Sequence, residues 1–260
     1  MSGKAGFQAG EHGAAIPEGV TTAISWLTVI PLRGATAFDR ITGARAMAAL
    51  PVVGAVLGAA TLAVAWLLQC TAMSPILIGA IVVALWELAT RGMHLDGLAD
   101  VGDALASYAP PEKAREILRD QHAGALGMGA VVVTLIAQVA GVASLVGSHR
   151  FGAVALIPVI ARLAAMVPCT TQFRPFAAGG FGGLVIGTLH PWWVAGWWLV
   201  IAICGWPLAG AAAGWVGAAV CAIGWLLSWH CSRRFGGLNG DCIGTVIAVG
   251  AAAAGALLAA

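Results

Sequence analysis

Long apolar runs alternate with short polar segments along the chain. Eight runs cover residues 16–32, 46–70, 75–90, 125–147, 151–170, 191–206, 208–229 and 243–260. A transmembrane helix needs ~20 apolar residues to cross the hydrocarbon core of a bilayer. The first run contains Pro17, Glu18 and Pro31. It is therefore predicted to be either a span or an interfacial helix, whereas the other seven runs are predicted to cross the membrane.

Helices are the predicted secondary structure of these runs. No run alternates polar and apolar residues with a period of two, and an open sheet in lipid would leave backbone groups unpaired. The sequence therefore predicts an all-α polytopic membrane protein that forms one integral membrane domain over 1–260. It would have about seven transmembrane helices, an N-terminal interfacial or re-entrant helix and a short cytoplasmic amphipathic helix. Gly54 and Gly58 form a small-residue face that is typical of close helix packing.

Composition agrees with a membrane protein and excludes several other classes. Hydrophobic residues make up 60% of the chain and charged residues only 9%, against about 25% in soluble domains. A soluble protein with one very large core is therefore disfavoured. The chain has no basic tail and no interleaving of aromatic and basic residues, so a nucleic-acid partner is not expected. Its six cysteines lack zinc or CxxC spacing, and the first 19 residues do not resemble a cleaved signal peptide.

The distribution of basic residues predicts the orientation. If the spans alternate, one side collects ten basic residues and the other collects Lys4 and Arg150, with Arg162 inside a span. Basic loops remain in the cytoplasm. Segment 91–124, predicted to be an active-site loop, and the turn at 233–244 then share the cytoplasmic side of the cell membrane. The ten residues are Arg33, Arg40, Arg45, Arg91, Lys113, Arg115, Arg119, Arg174, Arg233 and Arg234.

Three aspartates form the main candidate site. Asp96, Asp100 and Asp103 are spaced i, i+4 and i+7, so they lie within roughly 60° of one another around a helix. Like charges on one stripe repel each other unless a cation lies between them. Carboxylate oxygens suit Mg²⁺, which commonly joins protein carboxylates to substrate phosphates. The stripe predicts a magnesium site that binds a phosphate ester or diphosphate; the alternative is a solvated acidic helix face.

Two further polar segments are candidate parts of the same site. Segment 111–120 is predicted to be an amphipathic helix that carries Arg119 and Asp120 to the membrane surface, or merely a connection between two spans. Segment 233–241 combines arginines with a glycine-rich turn, which lets backbone N–H groups approach a phosphate. Asp241 would complete the metal shell begun by Asp96 and Asp100; a flexible turn between helices is the alternative. The predicted phosphate-binding residues are Arg119, Arg233, Arg234, Gly237, Asn239 and Gly240.

These motifs resemble the cobalamin synthase family. The resemblance rests on HLDGLAD at 94–100, EILRD at 116–120 and GGLNGD at 236–241. TVIP at 28–31 and ARLAAM at 161–166 are similar to further signatures of the family. The resemblance covers nearly the whole chain, and HLDGLAD is its most specific motif.

The resemblance implies a Mg²⁺-dependent membrane enzyme of the last stage of vitamin B12 assembly, in which Mn²⁺ is a conceivable substitute. The implied reaction joins adenosylcobinamide-GDP to α-ribazole or α-ribazole 5′-phosphate and releases GMP. Asp96, Asp100, Asp103 and Asp241 are then the expected metal ligands. Asp120 is expected to be a further ligand or a partner of Arg119. His94 is expected to act as a general base or, preferably, as a structural hydrogen-bond donor near Asp96.

The sequence departs from the family pattern in three places. Gln121 and His122 stand where serine and arginine are usual, and Asn239 stands where threonine is common. Ala248 and Ala251 occupy positions that often carry glutamate. Two other classes remain open: a phosphotransferase of the CDP-alcohol type, whose motif is not fully met, and a transporter, which predicts ionisable residues in the middle of spans. Small-residue helix faces permit a homo-oligomer.

Overall fold

The computed structural model describes residues 10–120, 122 and 124–260, so Lys4 and Gln121 lie outside the described residues. The described chain is mainly helical, and two isolated β-bridges, Thr170–Leu189 and Pro175–Leu238, join its loop segments. A single 3₁₀ turn, Val167–Cys169, extends the eighth helix. In chain order the helices are α1 (Ala15–Leu27), α2 (Arg40–Ala48), α3 (Leu50–Gln69), α4 (Pro75–Ala89), α5 (Met93–Ala106), α6 (Pro111–Ile117), α7 (Ala125–Gly147), α8 (Phe151–Ala165), α9 (Gly180–Val185), α10 (Trp192–Cys204), α11 (Trp206–Ala209), α12 (Ala212–Phe235) and α13 (Gly240–Ala259).

Five helical segments among the described residues are long and apolar enough to cross a membrane by themselves. They are α3, α7, α8 with its 3₁₀ extension, α12 and α13. A sixth span exists if α4 and α5, which meet at a 90° bend, are counted as one broken span. The prediction of an all-α polytopic membrane protein is confirmed. The predicted number of seven spans is not confirmed, because α4 and α10 alone are about 20 Å long at 1.5 Å per residue and a bilayer core is ~30 Å thick.

Consecutive long helices run in opposite directions, so their ends fall on two sides. The turn between α12 and α13 lies on the same side as the start of α7, since α5 contacts both places through Gly97 and Ala99. We call this side the α5 side. Segments 28–49, 90–124, 170–191 and 236–239 therefore share one side. This arrangement brings the polar segments at 91–124 and 233–241 to the same face of the molecule.

The two most enclosed spans are α8 and α13. In the span that contains α8, 83% of the apolar stretch is buried within the protein, and in α13 this share is 67%. Gly54 of α3 lies so close to α8 that a Cβ there would be 2.6 Å from the Cα of Val159. A Cβ on Gly58 would collide with the carbonyl of Ala155. The predicted small-residue face of α3 is therefore a close helix contact.

The N-terminal helices pack on the α5 side. The first apolar run forms α1, which has 13 residues and is too short to cross a bilayer alone. Asp39 begins α2 by accepting hydrogen bonds from the backbone N–H groups of Ile41 and Thr42, both at 2.9 Å. Glu18 of α1 accepts a hydrogen bond of 2.8 Å from Arg45 of α2. The interfacial assignment of the first run thus fits the length of α1.

Candidate active site

Helix α5 carries the aspartates, and it is joined to α4 by a bend with an unusual backbone conformation. Arg91 and Gly92 both have positive φ, 59° and 64°, a conformation that an L-residue such as Arg91 adopts infrequently. The buried face of α5 contains Gly97, Leu98, Val101 and other apolar residues. The predicted stripe lies outside this face, with Asp96 exposed and Asp100 and Asp103 half-buried.

The beginning of α13 lies directly against α5. A Cβ on Gly97 would be 2.8 Å from the Cα of Asp241, so only glycine fits where the two helices meet. Thr245 strengthens the contact by donating from its hydroxyl to the carbonyl of Gly97 at 3.1 Å and to that of Asp241 at 2.8 Å. The aspartate motif and the glycine-aspartate turn are therefore adjacent although more than 130 residues separate them in sequence.

The carboxylates around Asp100 are close enough to repel one another. Burial and the negative charges of Asp241, Asp96, Asp103 and Asp120, in that order of importance, together raise the pKa of Asp100 to about 6. Among the described residues, neither Asp96 nor Asp100 accepts a side-chain hydrogen bond or forms an ion pair. An acidic cluster of this kind is stabilised by a bound cation.

Asp103 has a structural partner at the start of α7. One of its carboxylate oxygens accepts the N–H of Gly124 at 2.6 Å, and the other accepts the N–H of Gly127 at 2.8 Å. These groups are orphan donors of the first helical turn, where a negative charge is favourable. Asp103 thus joins α5 to α7, and its prediction as a metal ligand stays a prediction.

The described residues contain no group of three His, Cys, Asp or Glu side chains placed to hold one ion as they stand. The donor set nevertheless fits a hard divalent cation, since Asp96 and Asp100 offer carboxylate oxygens without other partners. Asp241 accepts a hydrogen bond from the side-chain amide of Asn239. Asn239 also caps α13, because its side-chain oxygen accepts the N–H of Cys242 at 3.2 Å.

The glycine-rich turn is fixed by a neighbouring segment. The N–H of Leu238 donates to the carbonyl of Arg174 at 2.9 Å, and the N–H of Phe176 donates to the carbonyl of Leu238 at 3.0 Å. Gly237 has a φ of 150°, and a Cβ there would be 2.6 Å from the backbone nitrogen of Phe176. Its N–H donates to the carbonyl of Ser232 at 3.1 Å. The phosphate-binding role of Gly237 stays a prediction, and the N–H groups at the start of α13 belong to Gly240 and Asp241.

The predicted arginines each lie over an aromatic ring. The guanidinium carbon of Arg119 is 5.8 Å from the ring centre of Phe176, and that of Arg233 is 5.2 Å from Trp229. Arg234 lies 6.0 Å from the ring centre of Tyr108. Such contacts orient a guanidinium while its N–H groups remain able to bind an anion. The phosphate-binding assignments stay predictions.

His94 lies on the buried side of α5 and is 5% exposed. A Cβ on Gly244 of α13 would be 3.3 Å from the Cα of His94. Burial holds the pKa of His94 well below its usual range, and the positive charge of Arg162 lowers it further. This position agrees better with a structural role than with a general base, and neither role is tested by the geometry.

Asp120 is exposed at the end of the segment that follows α6. Its carboxylate lies 2.8 Å from Nδ1 of His122 and accepts the backbone N–H of His122 at 3.2 Å. Asp120 is also one of the charges that act on Asp100. The structure therefore places Asp120, the last residue of the 116–120 motif, near the aspartates of α5. Its role as a metal ligand or as a partner of Arg119 stays a prediction.

Glu87 and Arg162 are the charged residues inside the helical core. Arg162 is 3% exposed and lies in the last turn of α8, while Glu87 lies near the end of α4. Each residue is influenced by the charge of the other. Both helix ends lie on the α5 side. A transport pathway through the membrane centre is not favoured by this placement.

Segment 174–183 was not predicted to be part of the site. Gly182 packs against the turn so closely that a Cβ would be 2.9 Å from the Cα of Asn239. The guanidinium of Arg40 holds the segment by donating to the carbonyl of Gly183 and, at 2.9 Å, to that of Ile186. The signal available in sequence was a second glycine-rich run, at 179–183, which contains Phe181 and is preceded by Arg174 and Phe176.

The fold and this site define a helical integral membrane protein that carries a cluster of acidic side chains on its α5 side. A family model described as cobalamin-5-phosphate synthase matches residues 19–259. The chain therefore belongs to the cobalamin synthase family, and the resemblance stated from the motifs is confirmed.

Similar proteins agree with this family assignment. A protein from Corynebacterium efficiens named adenosylcobinamide-GDP ribazoletransferase is 48% identical over 260 residues, which cover 97% of this chain and 94% of the relative. A protein of the same name from Corynebacterium diphtheriae is 41% identical, covering 95% and 93%. One from Frankia casuarinae is 34% identical, covering 89% and 91%. No solved structure matches the chain.

Proposed function

We propose that this chain joins adenosylcobinamide-GDP to α-ribazole or α-ribazole 5′-phosphate and releases GMP. Family membership over residues 19–259 and the names of relatives that the chain matches almost end to end support the proposal. The observation that carries it is the crowding of Asp96 and Asp100 against Asp241, a set of oxygen donors of the kind that binds a metal–diphosphate.

The reaction is a substitution at phosphorus. A ribose hydroxyl oxygen of the ribazole forms a bond to the cobinamide-side phosphorus and gives up its proton. The bond from that phosphorus to the bridging oxygen breaks, and GMP leaves with that oxygen and its electron pair. The protein's task is to position the two substrates and to balance the charge of the diphosphate.

Asp96, Asp100 and Asp241 are the proposed ligands of Mg²⁺, with Mn²⁺ as a substitute and Asp103 as a further ligand. The ion would offset negative charge on the diphosphate and orient it for in-line displacement. Arg119, Arg233 and Arg234 would contact phosphate oxygens from the same side of the membrane.

The N-terminus of α13 would add to the phosphate site. Gly240 and Asp241 present N–H groups there, and helix N-termini favour anions. Asn239 fixes this end of the helix through its cap to Cys242. The same amide bonds to Asp241 and would hold that carboxylate in place for the ion.

We propose the cytoplasmic face of the cell membrane as the location of this chemistry. Eight basic residues belong to segments on the α5 side, and Arg233 and Arg234 lie on the same side in the last turn of α12. Arg150 lies in the turn between α7 and α8 on the opposite side. Basic residues are retained in the cytoplasm.

Purified protein in detergent or liposomes, given both substrates and Mg²⁺, should release GMP, and chelation of the metal should stop the release. We expect Asp96→Asn and Asp241→Asn to lower kcat on the order of 100-fold, because an amide is a weaker ligand for a hard cation than a carboxylate. Glu112→Gln is a matched control, since Glu112 lies outside the 116–120 motif and forms an exposed ion pair with Arg115. Full activity of Asp96→Asn would contradict the metal assignment, and release of CMP from a CDP-alcohol would favour the alternative enzyme class.

A further inference from the structure

Three aromatic rings from separate parts of the chain meet beside the candidate active site. Trp26 lies in the last turn of α1, Phe38 precedes α2 and Phe181 lies in α9. The rings of Trp26 and Phe38 are stacked, with centres 5.8 Å apart and planes 14° apart. Phe181 meets Trp26 edge-on, with centres 5.8 Å apart and planes 70° apart. We call these three residues the aromatic platform.

The platform is continuous with the turn that carries Asp241. The ring of Phe181 lies 3.3 Å from the position of a Cβ on Gly240, the residue before Asp241. On its other side, Arg91 donates a hydrogen bond of 2.7 Å to the carbonyl of Trp26. Arg91 belongs to the bend from which α5 and its aspartates begin. The platform thus touches both segments that build the acidic cluster.

The rings remain available to a ligand. Phe38 is 40% exposed and Phe181 is 38% exposed. A simple membrane anchor is the competing explanation, since aromatic side chains are frequent at membrane interfaces. The stacked pair Trp225 and Trp229, with ring centres 6.3 Å apart, lies along the single helix α12 and is typical of such an anchor. The platform differs because loops and short helices hold its rings against the site itself.

We propose that the aromatic platform binds the benzimidazole ring of α-ribazole, an inference that rests on the proposed function. The base of α-ribazole is a flat, neutral dimethylbenzimidazole, and such rings stack on aromatic side chains. The platform offers ring faces and a single indole N–H, whereas recognition of guanine requires several polar partners for its hydrogen-bonding edge. A base held against Phe181 also places its attached ribose next to Gly240 and Asp241, where the proposed displacement at phosphorus takes place.

The test compares substrates in single-residue variants of the full-length protein. We expect Phe181→Leu and Phe38→Leu each to raise the KM for α-ribazole about tenfold, the effect of losing one stacking contact. The KM for adenosylcobinamide-GDP should stay unchanged. Phe181→Tyr keeps the aromatic ring and should leave the KM for α-ribazole close to the wild-type value. Trp225→Leu is the matched control, because it removes an aromatic ring from the α12 pair, and it should change neither KM.

Direct binding separates this inference from the proposed function. Equilibrium binding of α-ribazole to the detergent-solubilised protein, without the second substrate, should weaken about tenfold in Phe181→Leu. A wild-type protein that binds α-ribazole but releases no GMP would contradict the proposed function alone. A rise in the KM for adenosylcobinamide-GDP instead would assign the platform to guanine or the corrin ring. Unchanged binding and unchanged KM values in a well-folded Phe181→Leu would show that the platform is a membrane anchor. This result, or a rise in the KM for adenosylcobinamide-GDP, would overturn the inference.

Discussion

Asp100 is the residue at which the crowding of carboxylates has its clearest consequence. Its ionised form lies among four other carboxylates, and this repulsion acts against folding when no cation is bound. We therefore expect Asp100→Asn to raise the melting temperature of the metal-free protein by about 2 °C. The same change should remove the additional stabilisation that Mg²⁺ gives to the wild-type protein. Thermal unfolding in detergent, with and without Mg²⁺, measures both effects.

The control for Asp100→Asn is an acidic residue outside the cluster. Glu112→Gln removes a carboxylate from an exposed ion pair with Arg115, and such pairs contribute little to stability. It should leave both the metal-free melting temperature and the response to Mg²⁺ unchanged. If Asp100→Asn kept the full response to Mg²⁺, Asp100 would not be a ligand.

Residue-scale reasoning from the sequence predicted some side chains better than others. The i, i+4, i+7 spacing predicted that Asp96, Asp100 and Asp103 share one side of a helix, and all three lie on α5 outside its buried face. The same spacing could not show that Asp103 binds the start of α7, because the N–H groups of Gly124 and Gly127 are 21 and 24 residues away. Partners of this kind depend on how two helices meet, and the pattern of a single helix does not contain that information.

At the scale of elements, the contact between α5 and α13 holds the two halves of the site together. We expect Gly97→Ala to lower kcat at least about tenfold, because its Cβ would be 2.8 Å from the Cα of Asp241 and a packed interface cannot absorb that overlap without moving. The measurement is GMP release at saturating substrates, together with thermal unfolding to confirm that the variant is folded.

Gly129 provides the matched control for Gly97. It lies in the neighbouring helix α7, and a Cβ there would have nothing within 4 Å. Gly129→Ala should therefore leave GMP release unchanged and slightly favour the helix, since alanine is the better helix former. A fully active Gly97→Ala would mean that α5 and α13 need not be in contact for catalysis.

The apolar pattern predicted most helices but not the bend between α4 and α5. Hydropathy marks where an apolar run stops, and the run at 75–90 corresponds closely to α4. The bend depends on positive φ at Arg91 and Gly92. Glycine adopts such a conformation readily, but arginine gives no sign of it in the sequence. Because of that bend, α5 turns by 90° and presents its aspartates to the start of α13.

For the whole molecule, composition and run length were sufficient to predict the fold class. They were not sufficient for the number of spans, because α10 is apolar throughout yet has only 13 residues. An apolar run indicates only that a segment is shielded from water. A transmembrane helix and a short helix that packs against it give the same signal. The grouping of polar segments on the α5 side was predictable from alternation of the runs, and segment 174–183 was missed because none of its residues repeats an acidic motif.

Two positions on opposite sides of the molecule test the proposed orientation in the membrane. Cys70 is exposed at the far end of α3, whereas Glu116 is exposed in α6 on the α5 side. With the other five cysteines replaced by alanine, a membrane-impermeant maleimide applied to intact cells should label Cys70. In a Cys70→Ala background, Glu116→Cys should be labelled only after the membrane is permeabilised, because the basic α5 side is retained in the cytoplasm. The reverse labelling pattern would place the aspartate cluster outside the cell. It would contradict the proposed location, because nucleotide-activated substrates in the cytoplasm could not reach a site there.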